Sequence, residues 1–523
     1  MARKIPRTMS TQHPDNAFVP SWHDAEVIEG DAEVYEAYFA YSNLGCQEVM
    51  WDSEGKDTDI RVVRKSLTMH GDYFRENVIG EDVFLTYRIP NPRVEVAERK
   101  IVVETLQNIA VSCNVASAFY NKDVAPIFEV ILPFTTDGSE LLCLLNYYRK
   151  AIVGVENIEL NGSVKVKDWV GSFKPSSIEL IPLIEDMNSL LKADKIVEPY
   201  LDAVKPSYVR VFIARSDPAL NYGLVCATLV SKLALSKLKS LGEHKGVDVY
   251  PIIGVGSMQF RGHLSPANLE GFLNEYRRVY TATVQSGLKY DFPEEDVKHV
   301  VDVLNRKLPY GEPALINDVE EQVLRQILEK FKQKYQMVIE ELAPLVTSVV
   351  SYVPKRRARK LHIGLFGYSR NVEGIVLPRA ITFSAALYSL GLPPEFIGLG
   401  ALTDLNETEL NVLNKFYVNL KSDLNMVAGF LSWQNINMIL GMYKDVAKRA
   451  GMNEESLRSA LTRLLLDINV AQEDLGINFG PRNLTHRKHE NTVSNFLIAY
   501  MEQNNEEAKD YLQEAARLRK SLG

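Results

Sequence analysis

The sequence predicts an eight-stranded α/β barrel of the TIM type with extensive additional α-helices. Three short runs rich in Val, Ile, Leu and aromatic residues carry this prediction, at residues 178–184, 208–214 and 249–253. Short, nearly continuous apolar runs are typical of parallel strands that are buried on both faces. Each run ends in charged or glycine-containing sequence. In a parallel barrel the loops after the strands meet at one end and build the active site.

Five further runs bring the number of predicted strands to eight, as such a barrel requires. The first polar stretch, residues 10–16, is predicted to be a loop because of its Pro and Asn content. A carboxylate inside an apolar strand must be paired or functional, and Glu129 is in that position. Helix-sized intervals separate most of the runs, which lie at residues 48–52, 83–88, 127–133, 280–287 and 361–367.

Two regions fall outside the repeating pattern. A long amphipathic helix, roughly residues 317–350, is predicted as an insertion before the last strand. From residue 381 onward the apolar spacing is mostly helical, with turn signals at residues 391–394. We therefore expect a barrel over residues 1–380, with its helical insertion at about 315–350, and a mainly helical region over 381–523 that packs on the barrel.

Composition narrows the class of protein. The chain has 523 residues, of which 46% are hydrophobic and 24% charged, as in a globular protein. Its formal net charge of −8 argues against nucleic acid or an anionic membrane as the main partner. Four widely spaced cysteines without a CxxC pair, and no apolar segment typical of export or of a membrane span, predict a reduced, cytoplasmic protein.

Carboxylates follow two consecutive predicted strands. Glu185 comes directly after the run 178–184, and Asp217 follows the run 208–214. Two hard oxygen ligands at neighbouring strand ends, with arginines nearby, suit Mg²⁺ holding an anionic, phosphorylated substrate. The alternative is that both carboxylates cap the helices that follow, and the sequence leaves both interpretations open.

The third strand runs into a glycine-containing loop. Gly254 and Gly256 begin like a dinucleotide fingerprint, but Gln259 replaces its third glycine, so we discount a Rossmann site. These glycines could let backbone amides approach an anion, with Arg261 beside them, or they could form a structural turn. No P-loop, HExxH, GxSxG or zinc-ligand spacing occurs in the sequence.

A basic run, KRRARK at residues 355–360, stands alone in an acidic chain. Such a run can bind nucleic acid, but its isolation favours a solvated loop that covers an anionic site.

With these residues in view, the chain resembles phosphoenolpyruvate carboxylase, specifically the short archaeal type. The similar segments are spread over nearly the whole length: MSTQHPDN, LTYRIPNPR, IPLIED, ARSDPALNYG, GSMQFRGH, TVQSGLKYD, LPRAITFSAALYSLGLPPEFIG and the terminal RKSLG. The resemblance implies carboxylation of phosphoenolpyruvate by bicarbonate to oxaloacetate and phosphate, with Mg²⁺, or Mn²⁺, as cofactor. It also implies a cytoplasmic homotetramer. The long form of the family is inhibited by aspartate or malate through its carboxy-terminal residues, which makes these acids candidate inhibitors of this chain.

The resemblance also implies roles for individual residues. Glu185 and Asp217 match the two metal-ligand carboxylates, and His13 resembles the catalytic histidine of a His-Pro loop. Arg88 and Arg93 reproduce the spacing of an arginine pair after a strand. Catalytic roles are thereby expected for His13, Arg88, Arg261 and Arg379, substrate or phosphate binding for Arg93, Arg215, Gly256 and Arg370, and metal binding for Glu185 and Asp217.

The chain departs from the long bacterial and plant form at two places. Leu220 stands where the long form has a lysine, and Val255 lies near the place of an additional loop arginine. We take Arg215 as the candidate replacement for these charges, and inhibitor sensitivity stays open. The rival functions are another phosphoenolpyruvate or pyruvate enzyme on the same barrel, such as a mutase, kinase or carbon-carbon lyase, and a catalytically silent scaffold or sensor.

Overall fold

A closed, all-parallel eight-stranded barrel is the centre of the structure, a computed structural model that describes residues 4–360, 371–372 and 375–523. This confirms the predicted fold class. The strand Thr8–Ser10 pairs with Glu48–Asp52 on one side and with Thr281–Val284 on the other, which closes the barrel. Around the barrel the order is Thr8–Ser10, Thr281–Val284, Asp248–Gly254, Tyr208–Ala214, Glu179–Ile184, Glu129–Leu132, Phe84–Arg88 and Glu48–Asp52.

One barrel strand was not predicted from the sequence. The eighth place belongs to Thr8–Ser10, which lies partly in the stretch predicted to be a loop. A strand of three residues has too little sequence for an alternating pattern to show. The run 361–367, to which that place was given, lies outside the described residues.

The barrel interior is filled in layers. Near the amino-terminal ends of the strands, Arg210 is fully buried and binds Glu48 through two hydrogen bonds of 2.8 and 2.7 Å. It also donates to Glu129 at 2.7 Å, so Glu129 is the paired carboxylate that the sequence allowed. Above this polar layer lies a separate apolar cluster of Met9, Met50, Ile131, Ile181, Leu183, Phe212 and Ile252. The barrel is therefore closed below, and only its carboxyl end is available for a site.

Helices surround the barrel and continue beyond it. The predicted long helix is confirmed as Asp318–Val350, which Asn317 and Glu320 cap reciprocally, but it follows all eight strands of the closed barrel along the chain instead of separating two of them. One continuous apolar core joins the barrel helices to the carboxy-terminal helices, and the division of the chain at residue 380 remains a prediction. The α-helices are Asp31–Ser42, Val62–Met69, Gly71–Glu76, Ile101–Tyr120, Gly138–Tyr147, Val166–Val170, Met187–Leu190, Ala193–Val204, Ser216–Lys245, Leu269–Glu275, Ser286–Tyr290, Glu294–Lys307, Asp318–Val350, Ala380–Ser389, Glu407–Phe416, Leu420–Ala428, Trp433–Gly441, Tyr443–Ala450, Glu454–Leu475, Leu484–Glu502 and Asn505–Arg519.

In the part of the chain that the structure describes, one helix is long and apolar enough to cross a membrane. It is Ser216–Lys245, and 89% of its most apolar window is buried inside the protein, as in a core helix. Ala380–Ser389 and Pro394–Asp404 pass the same test together, but a bend of 99° separates them. All four cysteines lie in the described part of the chain and are free, as expected.

A small arm projects between the fourth and fifth barrel strands of the chain. It consists of the antiparallel hairpin Glu159–Asn161 and Val164–Lys165 followed by the short helix Val166–Val170. Nearly every side chain of this arm is exposed, including Trp169 at 75%. An isolated two-stranded hairpin is marginally stable in water. The arm is therefore a surface suited to contact with another molecule.

Candidate active site

A cavity of about 660 Å³ lies at the carboxyl ends of the barrel strands. Its wall is built from strand ends, from the loop at His13, from the basic run 355–360 and from the start of the helix Ala380–Ser389. Seven of the side chains expected at the site from sequence line this one cavity, although they are far apart along the chain. They are His13, Arg88, Glu185, Arg215, Asp217, Arg261 and Arg379.

Strand alternation explains why several of these groups point inward. Successive side chains of a strand lie on opposite faces, so residues two apart share a face. Met50 and Leu183 belong to the interior cluster. Two residues further on, Asp52 and Glu185 are on the same inward face at the open end of the barrel.

Arg88 is held by acidic partners before any substrate arrives. Its Nε and Nη2 donate to the two carboxylate oxygens of Asp52 at 2.7 and 2.6 Å, and Nη2 lies 3.0 Å from Glu54. Burial opposes the charge of Arg88, but the charges of Asp52 and Glu54 outweigh it and raise the pKa of the guanidinium. Although Asp52 is also buried, Arg88 and Lys56 keep its pKa well below the usual range. The result is a rigid cation at the cavity wall.

His13 lies in the loop after the strand Thr8–Ser10. Its Nδ1 is 2.8 Å from Oγ1 of Thr11, a contact that orients the ring. Burial lowers the pKa of His13 well below its usual value, and the positive charges of Arg88, Lys56 and Arg261 act in the same direction. The imidazole is therefore neutral at neutral pH and can accept a proton.

Arg261 binds four separate parts of the chain. It is buried, and its Nη1 donates to Asp15 and to the carbonyl oxygen of Gly523, both at 2.9 Å. Its Nε donates to Ser216 at 3.0 Å, and its Nη2 donates to Gln285. These contacts fix the guanidinium beside the loop of His13.

The two expected metal-ligand carboxylates lie close enough to influence each other. Burial and the negative charge of Asp217 raise the pKa of Glu185 to about 8, while Arg88 acts in the opposite direction. Capping does not account for these residues. Glu185 accepts a hydrogen bond from the Phe134 amide at 2.8 Å, and the neighbouring Asp186 caps the next helix. Asp217 lies in the first turn of the helix Ser216–Lys245, after the N-cap position.

This pair fits a divalent cation. Two neighbouring carboxylates in one cavity wall, of which Asp217 raises the pKa of Glu185, have an excess of negative charge, and a cation would balance it. Mg²⁺ is usually bound by one or two carboxylates together with substrate and water. Among the described residues, no group of three His, Cys, Asp or Glu side chains is arranged to hold a metal.

The basic run 355–360 lines the cavity, but it is not the solvated loop that the sequence favoured. Arg356 and Arg357 are buried. Arg357 makes two hydrogen bonds of 2.6 Å to Glu36, and Arg356 donates to the carbonyl oxygens of Asn16 and Ala17. The run is thus attached to the segment that follows His13.

Two of the expected binding residues, Arg93 and Gly256, do not line the cavity. Arg93 points away from it, is 62% exposed and pairs with Glu140 at 3.3 Å. The Gly256 amide, expected to approach an anion, instead donates to the Arg261 carbonyl oxygen at 2.9 Å. A Cβ at Gly256 would lie 3.1 Å from Cζ of Arg261, so this glycine makes room for that side chain. Arg370 lies outside the described residues.

Arg215, the candidate replacement for the missing charges, lines the cavity but is deeply buried. Its Nε donates to the Tyr276 hydroxyl at 2.8 Å and its Nη2 donates to Thr228 at 3.1 Å. Two of its nitrogens therefore serve the protein interior.

The sequence analysis missed the loop after the strand Glu48–Asp52. Glu54 and Lys56 of this loop line the cavity, and Asp52 anchors Arg88. The strand itself was predicted, so the rule that strand ends build the site would have identified these residues.

A parallel barrel with paired carboxylates and several guanidinium groups at its open end defines an α/β-barrel enzyme site for an anionic substrate. The model of the phosphoenolpyruvate carboxylase family matches residues 5–523. The chain therefore belongs to that family. It is 47% identical over 521 residues to a phosphoenolpyruvate carboxylase of Metallosphaera sedula and 44% identical over 521 residues to one of Caldivirga maquilingensis, with 100% of each chain covered. Identity to a phosphoenolpyruvate carboxylase of Picrophilus torridus is 42% over 520 residues, or 99% of each chain.

Proposed function

We propose that the chain is a carboxy-lyase that converts phosphoenolpyruvate and bicarbonate to oxaloacetate and inorganic phosphate. Membership of the family over residues 5–523 is the observation that carries this proposal. The gathering of two carboxylates, a neutral histidine and several arginines around one cavity supports it. The product would supply a four-carbon acid to the tricarboxylic acid cycle.

In the proposed first step an oxygen of bicarbonate attacks phosphorus, and the bond from phosphorus to the enol oxygen breaks. Carboxyphosphate and the enolate of pyruvate result. Phosphoryl transfer needs alignment and charge neutralisation more than a covalent protein group, so arginines suit this site. Arg88, which Asp52 already holds in place, would orient the substrate. Arg261 and Arg379 would neutralise the charge of the phosphoryl group that is transferred.

Glu185 and Asp217 would hold the divalent cation, for which we propose Mg²⁺ with Mn²⁺ as a substitute. When bound, the cation supplies positive charge that stabilises the negative charge developing on the substrate.

The second step requires a base. Carboxyphosphate that gives its carboxyl proton to His13 would split into CO₂ and phosphate, and the enolate carbon would then attack CO₂. The low pKa of His13 keeps the ring neutral for this task. The residues that line the cavity, including the run 355–360, would exclude the water that could otherwise protonate the enolate.

We further propose a cytoplasmic homotetramer, as the resemblance implies, with aspartate or malate as candidate feedback inhibitors. Five large exposed hydrophobic side chains lie in residues 158–170 of the projecting arm, and contact with a second copy would cover them. The arm carries Glu159 and Asp168 together with Lys165 and Lys167, a balance that suits self-association. Trp169→Asp should lower the mass measured by analytical ultracentrifugation, and an unchanged tetramer would place the interface elsewhere.

The assay that tests the function measures oxaloacetate and phosphate with and without bicarbonate and a chelator. We expect oxaloacetate only when bicarbonate and a divalent cation are both present. Phosphate release that ignores bicarbonate would indicate a different phosphoenolpyruvate enzyme. Binding of phosphoenolpyruvate without turnover under every condition would indicate a sensor.

A further inference from the structure

Lys56 is a buried cation in the cavity wall that the proposed mechanism does not use. It lies in the loop directly after the strand Glu48–Asp52. Its Nζ donates to Oδ2 of Asp52 at 2.6 Å and to the carbonyl oxygen of Gln12 at 2.8 Å. Its side chain is only 3% exposed, yet it lines the same cavity as His13 and Arg88.

Neutralisation of Asp52 does not by itself explain this lysine. Arg88 already engages both oxygens of Asp52 in the bidentate arrangement that is strongest for a carboxylate. A buried ammonium group is costly unless all of its N–H donors find acceptors. Among the described residues, Nζ of Lys56 has two acceptors for three donors.

A second buried lysine, Lys289, has a hydrogen-bond acceptor for each of its N–H donors. Nζ of Lys289 donates to Ser10 at 3.1 Å, to the Thr11 carbonyl oxygen at 3.0 Å and to Glu36 at 2.8 Å. It has an acceptor for each donor and does not line the cavity. The comparison indicates that the third donor of Lys56 is kept for a ligand in the cavity.

The neighbours of Lys56 indicate which ligand this is. Lys56 lies next to the segment of Gln12 and His13. It donates to the Gln12 carbonyl oxygen, and its positive charge lowers the pKa of the His13 ring. His13 is the group that would accept a proton from the carboxyl group derived from bicarbonate. A cation beside this base can neutralise that one-carbon oxyanion. The divalent cation held by Glu185 and Asp217 would meanwhile serve the phosphorylated substrate.

We propose that Lys56 is a catalytic residue that binds the one-carbon oxyanion, bicarbonate, through its third N–H. This inference rests on the proposed function and names the protein group that receives the second substrate. Burial lowers the pKa of Lys56 to about 8, while Asp52 acts in the opposite direction, so the side chain acts as a cation at neutral pH and transfers no proton.

The test compares Lys56→Met, Lys56→Arg and Lys289→Met by steady-state kinetics in bicarbonate and in phosphoenolpyruvate. Loss of one charged hydrogen bond should lower kcat/KM for bicarbonate by about 10- to 100-fold in Lys56→Met. Binding of phosphoenolpyruvate, measured by equilibrium dialysis, should stay within about threefold, since uniform loss would mean general disruption. Lys56→Arg should recover part of the activity because it restores a cationic donor.

Lys289→Met is the matched control, since it also removes a buried lysine from a carboxylate pair. Arg357 still binds Glu36 in that variant, as Arg88 still binds Asp52 in Lys56→Met. The control should keep its kcat/KM for bicarbonate within about threefold in the folded fraction.

The inference is overturned if Lys56→Met keeps wild-type kcat/KM for bicarbonate. It is also overturned if both lysine variants lose bicarbonate and phosphoenolpyruvate binding alike, since the role is then structural. Failure of the proposed function looks different, because the unmodified protein would then make no oxaloacetate from bicarbonate.

Discussion

Arg88 and Asp52 are cross-strand partners at the carboxyl ends of two adjacent barrel strands, and two hydrogen bonds of 2.7 and 2.6 Å join their side chains. The pair is buried, so its geometry is set before substrate binds. A cation placed in advance spends little energy on reorganisation during the reaction.

Asp52→Asn should test this pair. The variant leaves the buried cations Arg88 and Lys56 without their shared partner, and the loss of one partner of a buried ion pair costs about 3–5 kcal/mol. We expect a lower denaturation midpoint together with a loss of kcat. Asp31→Asn, which disrupts an exposed pair with Lys65, should change neither.

Arg88 and Arg93 are five residues apart, yet the structure separates their roles. Only Arg88 lines the cavity, while Arg93 pairs with Glu140 outside it. Arg88→Ala should reduce kcat/KM for phosphoenolpyruvate by about 100-fold or more. Arg93→Ala should stay within about threefold, as usual for an exposed residue. Equal losses in both variants would show that Arg93 reaches the substrate after all.

His13→Asn should uncouple the two proposed steps. Without the base, phosphate and pyruvate should still be released from phosphoenolpyruvate, while oxaloacetate formation falls by about 100-fold. Parallel assays of phosphate, pyruvate and oxaloacetate measure this partition. Unchanged oxaloacetate formation would remove His13 from the mechanism.

Asp217→Asn should abolish turnover that depends on Mg²⁺ while the fold stays intact. Loss of a metal ligand removes several kcal/mol of charge stabilisation, or about 1000-fold in rate. Asp186→Asn is the control, because Asp186 adjoins Glu185 but caps a helix. Normal turnover in Asp217→Asn would place the metal elsewhere, whereas inactive controls would indicate misfolding.

The raised pKa of Glu395, which does not line the cavity, predicts how the free energy of unfolding depends on pH. Burial raises its pKa from 4.5 to about 7, although the Tyr388 hydroxyl and the Phe260 amide donate to its carboxyl group. The folded state therefore favours the protonated form. The stabilisation of the folded state that comes from the protonated Glu395 carboxyl group is complete below pH 4.5. It is lost as the pH rises through about 7, on the order of 3 kcal/mol in total.

Glu395→Gln cannot ionise, so its stability should not show this loss. The difference in urea denaturation midpoint between the variant and the unmodified protein should grow in favour of the variant from pH 5 to pH 8. Glu270→Gln changes an exposed glutamate and should follow the unmodified protein at both pH values. Parallel pH dependence of all three proteins would contradict the raised pKa of Glu395.

The apolar runs predicted most of the barrel, because parallel strands buried on both faces leave a strong pattern in the sequence. The exception is Thr8–Ser10, which closes the barrel through backbone pairing with two distant strands. Its three residues form no recognisable run, and only the positions of its neighbours make it a strand.

Within the site, the ends of predicted strands pointed to Glu185 and Asp217, and the resemblance to the family pointed to Arg88. Sequence reasoning could not distinguish Arg88 from Arg93, since direction after a turn depends on the path of the chain. It also overlooked Lys56, whose importance arises from the carbonyl of Gln12 and the carboxylate of Asp52.

The sequence by itself determined most of the barrel, the long helix Asp318–Val350 and the family, because local hydrophobic patterns and motifs along the chain carry that information. Only the tertiary structure decided which charged groups line the cavity and which form ion pairs with one another. The physical reason is that contacts such as that of Arg261 with Asp15, 246 residues away, depend on how the whole chain closes. Charge, burial and hydrogen bonding at such a site are properties of neighbours in space.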